Sequence, residues 1–312
     1  MRTRLAPSPT GALHLGNART FLVNWALARQ QGWEIVLRIE DLDGPRVKEG
    51  AAQQAIDDLR WLGIDWDEGP LYQLVDQSPY ETALEQLAQQ GVIYPCRCTR
   101  KQIEAAALSA PHGDEHELRY PGTCRLGKPR AASWLKNREE GTAWRLRVEP
   151  GETRFEDVFA GEQVASVEQS VGDFLVATKL GLPAYQLAVV VDDARQGIDQ
   201  IVRGDDLLRS THRQLLVQKF LGITPSPTYT HLPLVIGEDG RRLAKRHGDT
   251  RIDHYRQAGV RPERVVGLLG EWCGLAERSE MTATEFAEDF RLENLPSEPA
   301  VFTSEDDQWL VG

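Results

Sequence analysis

The sequence lacks any hydrophobic run of membrane-spanning length, and no basic segment followed by an apolar one precedes its first motif. A transmembrane helix needs about 20 consecutive, mostly apolar residues, and a secretory leader has that basic-then-apolar order. The sequence therefore predicts a cytoplasmic protein with no membrane partner.

Positive charge is also scarce: 36 lysines and arginines face 47 aspartates and glutamates, which gives a net charge of −11. Proteins that hold nucleic acid through its phosphates present basic faces, so this balance argues against broad, sequence-independent RNA binding. Any RNA contact must be local. With 312 residues, 41% of them hydrophobic, the chain is long enough for two domains and a substantial core.

Cysteine is rare, and three of the four cysteines lie in one segment, at Cys96, Cys98 and Cys124. Such a cluster fits a metal site in a reducing compartment better than a disulfide framework. Three thiolates can fill three corners of a zinc tetrahedron and hold a small insertion with little core of its own. His112 and His116 are the ordinary candidates for the fourth corner, and a reduced, metal-free loop is the alternative.

The first motif reads as a strand end, a turn and a helix start. Pro7 and Pro9 prevent a continuing strand, and the apolar spacing that follows predicts a helix from just behind His14 to Gly32. A helix start presents unpaired N–H groups and the positive end of the dipole, which together bind a phosphate. Gly16 would let a flat base approach, and His14 could donate to a phosphoryl oxygen. The alternative is a strand, loop and helix whose histidine only caps.

A second apolar and β-branched run, starting at Glu34, follows the first strand after about one helix length, which predicts a βαβ unit and a parallel sheet. Glu40, Asp41 and Asp43 come directly after this run, at the edge where open α/β sheets bind ligands. A carboxylate there suits an amino group. Solvated charges at a strand end are the alternative.

The apolar residues 187–191 end in Asp192 and Asp193 and predict a buried parallel strand that delivers carboxylates to the same edge. Tyr185 and Arg203 are predicted to face this crevice, the alternatives being a core tyrosine and a surface arginine. Residues 237–248 place positive charges between glycines, which indicates either a mobile phosphate-binding loop or a solvated charge run.

Other segments read as structural. A strand is predicted at residues 232–236, short β-rich runs lie between residues 144 and 176, and Ser78 begins a helix with Pro79 in its first turn. The remaining predicted helices are residues 47–62, 207–221, 262–273 and 283–289.

Two stretches resemble the signatures of class I aminoacyl-tRNA synthetases. Residues 7–17, Pro-Ser-Pro-Thr-Gly-Ala-Leu-His-Leu-Gly-Asn, resemble the HIGH signature of the glutamyl and glutaminyl branch, with Asn17 in place of the second histidine. Residues 242–246, Arg-Leu-Ala-Lys-Arg, resemble KMSKS, with arginine for the first lysine and alanine for the serine. The resemblance implies an α/β fold: a Rossmann-like, doubly wound parallel sheet with a zinc-bearing insertion.

The resemblance also implies roles for individual residues. Guanidinium groups bind carboxylates through paired hydrogen bonds, which suits a dicarboxylic amino acid. His14 and Lys245 would be catalytic, and magnesium would accompany the triphosphate of ATP. The implied glutamate-binding residues are Arg4, Ser8, Glu40, Tyr185 and Arg203, and the implied ATP-binding residues are His14, Gly16, Asn17 and Lys245.

The pattern Cys-x-Cys followed by Tyr-x-x-x-Cys resembles the zinc insertion of the glutamyl-Q tRNA(Asp) synthetases, in which the tyrosine is a ligand. The implied ligands of one zinc ion are Cys96, Cys98, Tyr120 and Cys124. Some glutamyl-tRNA synthetases instead supply a histidine two residues after the last cysteine, where this chain has Leu126. The histidines at positions 112 and 116 stay as runners-up.

The resemblance covers nearly the whole chain, and residues 250–312 are too few for the anticodon-binding domain of a glutamyl-tRNA synthetase. The implied activity is ATP-dependent activation of L-glutamate and its transfer to queuosine in tRNA(Asp), by a monomer that binds the anticodon stem-loop. The alternatives are a discriminating synthetase that charges tRNA(Glu) and a non-catalytic, RNA-binding relic. The implied domains are two halves of a nucleotide-binding core (1–93 and 181–249), an inserted acceptor-end-like domain (94–180) and a helical remnant (250–312).

Overall fold

The computed structural model describes residues 1–108, 119–126, 130–241, 243, 249–275 and 278–312. The strands are Arg2–Leu5 (β1), Glu34–Ile39 (β2), Glu68–Tyr72 (β3), Ile93–Cys96 (β4), Ala143–Leu146 (β5), Thr153–Asp157 (β6), Gly161–Ala165 (β7), Phe174–Ala177 (β8), Gln200–Gly204 (β9), Thr228–Leu232 (β10), Val235–Gly237 (β11) and Ala300–Phe302 (β12). The helices are Leu15–Gln31 (α1), Ala51–Trp61 (α2), Ser78–Gln89 (α3), Arg100–Leu108 (α4), Trp134–Asn137 (α5), Val167–Ser170 (α6), Tyr185–Arg195 (α7), Leu208–Leu221 (α8), Ile252–Gln257 (α9), Pro262–Glu271 (α10), Ala283–Asp289 (α11) and Ser304–Val311 (α12). None of these helices is long and apolar enough to cross a membrane.

The central layer is built from parallel strands. β1, β2 and β3 pair in that order and in parallel, and β9, β10 and β6 form a second parallel set. The two sets adjoin where the Asp199 N–H, just before β9, donates to the Arg2 carbonyl of β1 at 3.0 Å. The strand order thus reverses between β1 and β9, and open α/β sheets bind ligands at such a switch point. The predicted α/β fold with a parallel sheet is confirmed.

Helix α1 occupies the βαβ crossover that the sequence predicts. It begins directly after His14 and ends at Gly32, whose φ of 65° is the left-handed conformation that glycine adopts at helix ends without a steric penalty. The bounds of α3, α8, α10 and α11 agree with prediction to within a few residues, whereas α2 begins only at Ala51.

The strand predicted for residues 187–191 is wrong, because these residues belong to helix α7. All five side chains, Leu187 to Val191, are buried, and they pack in one core with residues of α3 and α8 such as Leu84 and Val217. A helix enclosed by other elements is apolar on nearly every face, so its sequence shows no helical period and resembles a buried strand. The helix still brings Asp193 to the crevice.

The strand predicted at residues 232–236 is interrupted. β10 ends at Leu232, Pro233 follows, and β11 begins at Val235. Proline has no N–H to donate to a ladder, which explains the break. β11 then pairs in parallel with β12, so a strand from the last part of the chain joins the segment that precedes the second signature in the sequence.

A separate antiparallel sheet is formed by β4, β5 and β8, which all lie within residues 94–180 except for Ile93, the first residue of β4. The β6–β7 hairpin belongs to the same stretch of sequence, yet β6 pairs with β10 in the parallel layer. Residues 94–180 therefore contribute to two sheets, and the hairpin places Asp157 next to β10.

Candidate active site and metal centre

His14 caps helix α1 and is held by Asn17. Its Nδ1 accepts from the Asn17 backbone N–H at 3.4 Å, and the Asn17 side-chain oxygen accepts from the His14 N–H at 3.4 Å, a reciprocal capping box. Because Nδ1 accepts, this hydrogen bond assigns the proton of the neutral ring to Nε2. His14 thus carries its N–H on Nε2, beside the positive end of the α1 dipole.

Gly16 leaves space that the His14 ring occupies. A Cβ atom at position 16 would lie 3.1 Å from both Cε1 and Nδ1 of His14 and 3.4 Å from Cβ of Val235. A larger residue would have to displace the imidazole. Glycine at this position therefore supports the placement of His14.

The first signature is hydrogen-bonded to the segment that follows the second. The Leu15 N–H donates to the Thr250 carbonyl at 2.9 Å, and the Ile252 N–H donates to the Leu13 carbonyl at 2.9 Å. These bonds place the first signature beside residues 250–252. Lys245 lies outside the described residues.

A buried charge chain fixes Arg4 and Glu40. Arg4 Nε donates to Oδ1 of Asp193 at 3.3 Å, and Arg38 Nη1 donates to the same oxygen at 2.8 Å. Arg38 also donates to Glu40 Oε1 at 3.1 Å and to Gln196 Oε1 at 2.9 Å. Burial raises the pKa of Glu40, outweighing the opposite effect of Arg38 and Arg4. One chain of contacts thus orders side chains from β1, β2 and α7.

Arg203 on β9 is 5% exposed, and its hydrogen-bond partners in the described part of the chain are neutral side chains. Its Nε donates to Nε2 of His231 at 3.0 Å, and its Nη2 donates to Thr211 Oγ1 and Gln214 Oε1, both at 2.8 Å. Nη1 is buried and has no hydrogen-bond partner within the described residues, and no carboxylate there forms an ion pair with Arg203. Two N–H donors of a buried cation are therefore left for a ligand.

Tyr185, the first residue of α7, shares this environment. Although 39% of the residue is exposed, burial of its hydroxyl raises the pKa of Tyr185. The charges of Arg203, Glu40 and Arg4 also act on this hydroxyl. The structure therefore brings together the four predicted side chains at positions 4, 40, 185 and 203.

Ser8 is exposed and lies between two anchored prolines. The Pro7 carbonyl accepts from the Glu40 N–H at 3.0 Å, and the Pro9 carbonyl accepts from the Lys48 N–H at 2.9 Å. These bonds hold Ser8 beside the carboxyl end of β2.

The two acidic residues that follow Glu40 have local roles. Asp41 accepts from the Leu74 N–H at 2.9 Å, and Asp43 pairs with Arg46 at 2.7 Å.

Three sulfur atoms and one phenol oxygen converge at the cysteine cluster. The Sγ atoms of Cys96, Cys98 and Cys124 all lie within 4.8 Å of one another, with 3.4 Å between those of Cys98 and Cys124. The Tyr120 hydroxyl lies 3.4 Å from the Cys96 sulfur and 3.6 Å from the Cys98 sulfur. Zinc–ligand bonds of ordinary length would give tetrahedron edges of about 3.8 Å between sulfurs and about 3.5 Å between sulfur and oxygen. The four atoms fit one tetrahedral ion.

The surroundings of the cluster favour a thiolate at Cys124, whereas burial raises the pKa of the Cys98 thiol. Burial raises the pKa of the Cys124 thiol, but hydrogen bonds from the Arg97 backbone and the Tyr120 hydroxyl outweigh it and bring this pKa to about 7. Arg145 Nε donates to the Cys96 sulfur at 3.4 Å, and its guanidinium lies 3.8 Å from the centre of the Tyr120 ring. Thiolates are the form that binds zinc. His112 and His116 lie outside the described residues.

Replacing Cys124 by serine is expected to lower both the metal content and the melting temperature, because a structural ion contributes directly to folding free energy. Metal analysis of protein purified without chelator, together with thermal unfolding, tests this. Cys273 is buried far along the chain, beside Arg19, and Cys273→Ala should retain the full metal content. An unmutated chain without bound metal would contradict the site, and full occupancy in Tyr120→Phe would move the fourth ligand elsewhere.

Residues that the sequence analysis did not single out complete the crevice. Arg38 interrupts the otherwise apolar and buried part of β2, from Ile35 to Ile39, a pattern that indicates a buried ionic partner. Asp157 and His231, which support Arg203, gave no such signal. Asp192 lies 3.9 Å from Nε of Arg38 and accepts hydrogen bonds from Tyr80 at 2.9 Å and Gln73 at 2.6 Å.

Comparison with known proteins identifies the family. Residues 1–309 match the family model for the catalytic domain of class I tRNA synthetases (E and Q). A curated relative from Rhodopirellula baltica, named glutamyl-Q tRNA(Asp) synthetase, is 47% identical over 90% of this chain and 88% of its own length. One of the same name from Symbiobacterium thermophilum is 45% identical over 97% of this chain and 96% of its own length.

Solved structures support the fold. The glutamate–tRNA synthetase of Elizabethkingia anophelis superposes with a TM-score of 0.82 at 24% identity, over 99% of this chain and 69% of that one. Matches to the family model and to these relatives over most of their length establish what the two signatures indicate. The chain belongs to the class I tRNA synthetases for glutamate and glutamine and, among these, to the family of the glutamyl-Q tRNA(Asp) synthetases.

Proposed function

We propose that this chain activates L-glutamate with ATP and transfers the glutamyl group to the queuosine base in the anticodon of tRNA(Asp). The observation that carries glutamate as the substrate is Arg203, a buried cation with two free N–H donors on Nη1 and no carboxylate partner in the described part of the chain. A buried charge of this kind is costly unless an anion compensates it. A dicarboxylic amino acid supplies that anion.

In the first step an oxygen of the glutamate α-carboxylate attacks the α-phosphorus of ATP, and pyrophosphate leaves. Arg4, Ser8, Glu40, Tyr185 and Arg203 hold the amino acid, with Glu40 accepting from its ammonium group. His14 donates from Nε2 to the phosphoryl oxygens, where charge develops, and Lys245 stabilises the departing pyrophosphate. Gly16 and Asn17 complete the nucleotide site, and magnesium accompanies the triphosphate.

In the second step a hydroxyl of queuosine attacks the carbonyl carbon of glutamyl-adenylate, and AMP leaves. A cavity of about 540 Å³ is lined by Tyr185 and Gln186 and by Cys98 and Arg100 of the insertion, and there it would admit the acceptor beside Tyr185. With a net charge of −11, the chain is suited to a local contact with an unstacked anticodon base rather than to a whole tRNA.

The remaining assignments follow from the same proposal. Zinc is the ion we assign to Cys96, Cys98, Tyr120 and Cys124, where it would hold the insertion together and take no part in the reaction. Residues 94–180 would form the insertion between the core halves 1–93 and 181–249, with 250–312 packed against them. We propose that the chain acts as a monomer. We assign it to the cytoplasm because reduced thiols, ATP and tRNA occur together in that compartment.

The acceptor is tested with ATP, labelled glutamate and three RNAs: tRNA(Asp) with queuosine, the same tRNA transcribed without it, and tRNA(Glu). We expect label only on the first. Pyrophosphate exchange with glutamate and no RNA is the accompanying control for activation, because a non-catalytic relic gives no exchange. Label on tRNA(Glu) alone would establish a tRNA(Glu)-charging synthetase instead, and label on the unmodified transcript would exclude queuosine as the acceptor.

A further inference from the structure

We propose that His231 and Asp157 are positioning residues for the glutamate pocket: Asp157 fixes the tautomer of His231, and His231 orients Arg203. Neither residue is one of the proposed glutamate ligands, and both are 1% exposed. The role assigned to this pair rests on the proposed function, because Arg203 is the glutamate ligand.

The hydrogen bonds define the direction of each proton. His231 Nδ1 lies 2.6 Å from Oδ2 of Asp157, and a carboxylate can only accept, so Nδ1 carries the proton. On the other side of the ring, Arg203 Nε approaches Nε2 at 3.0 Å. An arginine can only donate, so Nε2 must be the unprotonated acceptor. The imidazole is therefore neutral, with a single tautomer.

The electrostatics agree with this arrangement. Burial lowers the pKa of His231, the Arg203 charge lowers it further, and these effects outweigh the hydrogen bond that His231 donates to Asp157. Burial alone would raise the pKa of Asp157. The hydrogen bonds that this carboxylate accepts from His231 and from backbone N–H groups outweigh burial and keep the pKa low. Along this chain of hydrogen bonds Asp157 is therefore negative, His231 neutral and Arg203 positive.

The chain of contacts explains why Nη1 of Arg203 is available. His231 takes the Nε donor, while Thr211 and Gln214 take both donors of Nη2. The Arg203 guanidinium also lies 5.6 Å from the centre of the Tyr229 ring. With three of its five donors engaged, the planar group has one orientation, and the donors on Nη1 are preorganised before a ligand arrives.

Asp157 is itself locked by backbone groups. Its Oδ1 accepts from the N–H groups of Phe159 at 3.1 Å and Ala160 at 2.8 Å, and the His231 N–H is shared between Oδ1 and Oδ2 at 3.2 Å from each. The Phe159 and Ala160 donors require an oxygen at the Oδ1 position. In Asp157→Asn the amide nitrogen must therefore face His231, where it donates to Nδ1 and drives the ring proton to Nε2. Nε2–H and Arg203 Nε–H would then oppose each other as two donors.

The test compares three variants in pyrophosphate exchange: Asp157→Asn, His231→Phe and His212→Phe. His212 is a matched control, a buried histidine in the same aromatic cluster around Phe155 that bonds to Thr153 at 2.7 Å and not to Arg203. A hydrogen bond to a charged group is worth about 1.5–3 kcal/mol, which corresponds to about a 10- to 150-fold change. We expect the KM for glutamate to rise by that factor in the first two variants only, with the KM for ATP unchanged.

A general loss of packing would change both KM values or affect the His212 variant equally, so the split between the two substrates separates positioning from stability. Asp157→Asn is nearly isosteric and provides the answer if His231→Phe does not fold. An unchanged KM for glutamate in Asp157→Asn, with an active unmutated chain, would overturn the positioning role alone. No glutamate-dependent exchange by the unmutated chain would overturn the proposed function, and the positioning role with it.

Discussion

Replacing His14 with asparagine is expected to slow glutamate-dependent pyrophosphate exchange by about 10²–10³-fold, the usual loss when one donor to a developing oxyanion is removed. The capping hydrogen bond assigns the His14 proton to Nε2, so the ring is a neutral donor at the start of α1. Asparagine is among the best N-cap residues, so it retains the cap while the shorter side chain cannot reach the phosphoryl group. The melting temperature should therefore stay close to that of the unmutated chain.

The alanine variant separates the two roles of this histidine. His14→Ala loses the donor and the cap, so its exchange rate should match that of His14→Asn while its stability falls by about 1 kcal/mol. Thermal unfolding measures the cap, and initial exchange rates at saturating substrate measure the donor. Exchange by His14→Asn at the unmutated rate would show that His14 only caps α1.

Local signals made the entrance to the site predictable. The prolines after β1, the helical spacing after His14 and the glycine at position 32 each act within a few residues, and the structure places the helix where they indicate. The cysteine cluster is equally visible, because a metal site needs several ligands of one chemical type at short spacing. In both cases the determining interactions are close in sequence.

Long-range contacts were not predictable in the same way. Arg38 meets Asp193 across 155 positions and Asp157 meets His231 across 74, so no window of sequence contains either pair. The strand prediction for α7 is wrong for a related reason. Because α3 and α8 enclose the helix, its residues are apolar on nearly every face and show no helical period, and this enclosure is a property of the fold that the local sequence does not contain. The position of Arg203 at the crevice was predicted from the sequence pattern and that of Arg4 through the resemblance, while the groups that hold both side chains emerged only from the structure.

Replacing Arg203 with alanine is expected to raise the glutamate requirement of the exchange reaction sharply. Removing one partner of a buried, hydrogen-bonded charge pair costs about 2–5 kcal/mol, which corresponds to roughly a 30- to 4,000-fold change. The same reasoning applies to the substrate, because glutamine and aspartate cannot place a carboxylate at the same position as glutamate. The unmutated chain should therefore prefer glutamate strongly over both.

Two further variants make this test specific. Arg203→Lys keeps the charge but cannot reproduce the planar fork that joins His231, Thr211 and Gln214, so it should recover only part of the loss. Arg154 lies exposed on β6, where it pairs with Glu152, and Arg154→Ala should leave the KM for glutamate unchanged. Titrating glutamate, glutamine and aspartate in the exchange assay measures all of these effects. Comparable exchange with glutamine, or an unchanged KM for glutamate in Arg203→Ala, would refute the pocket, because a buried arginine that binds the substrate carboxylate cannot be removed without cost.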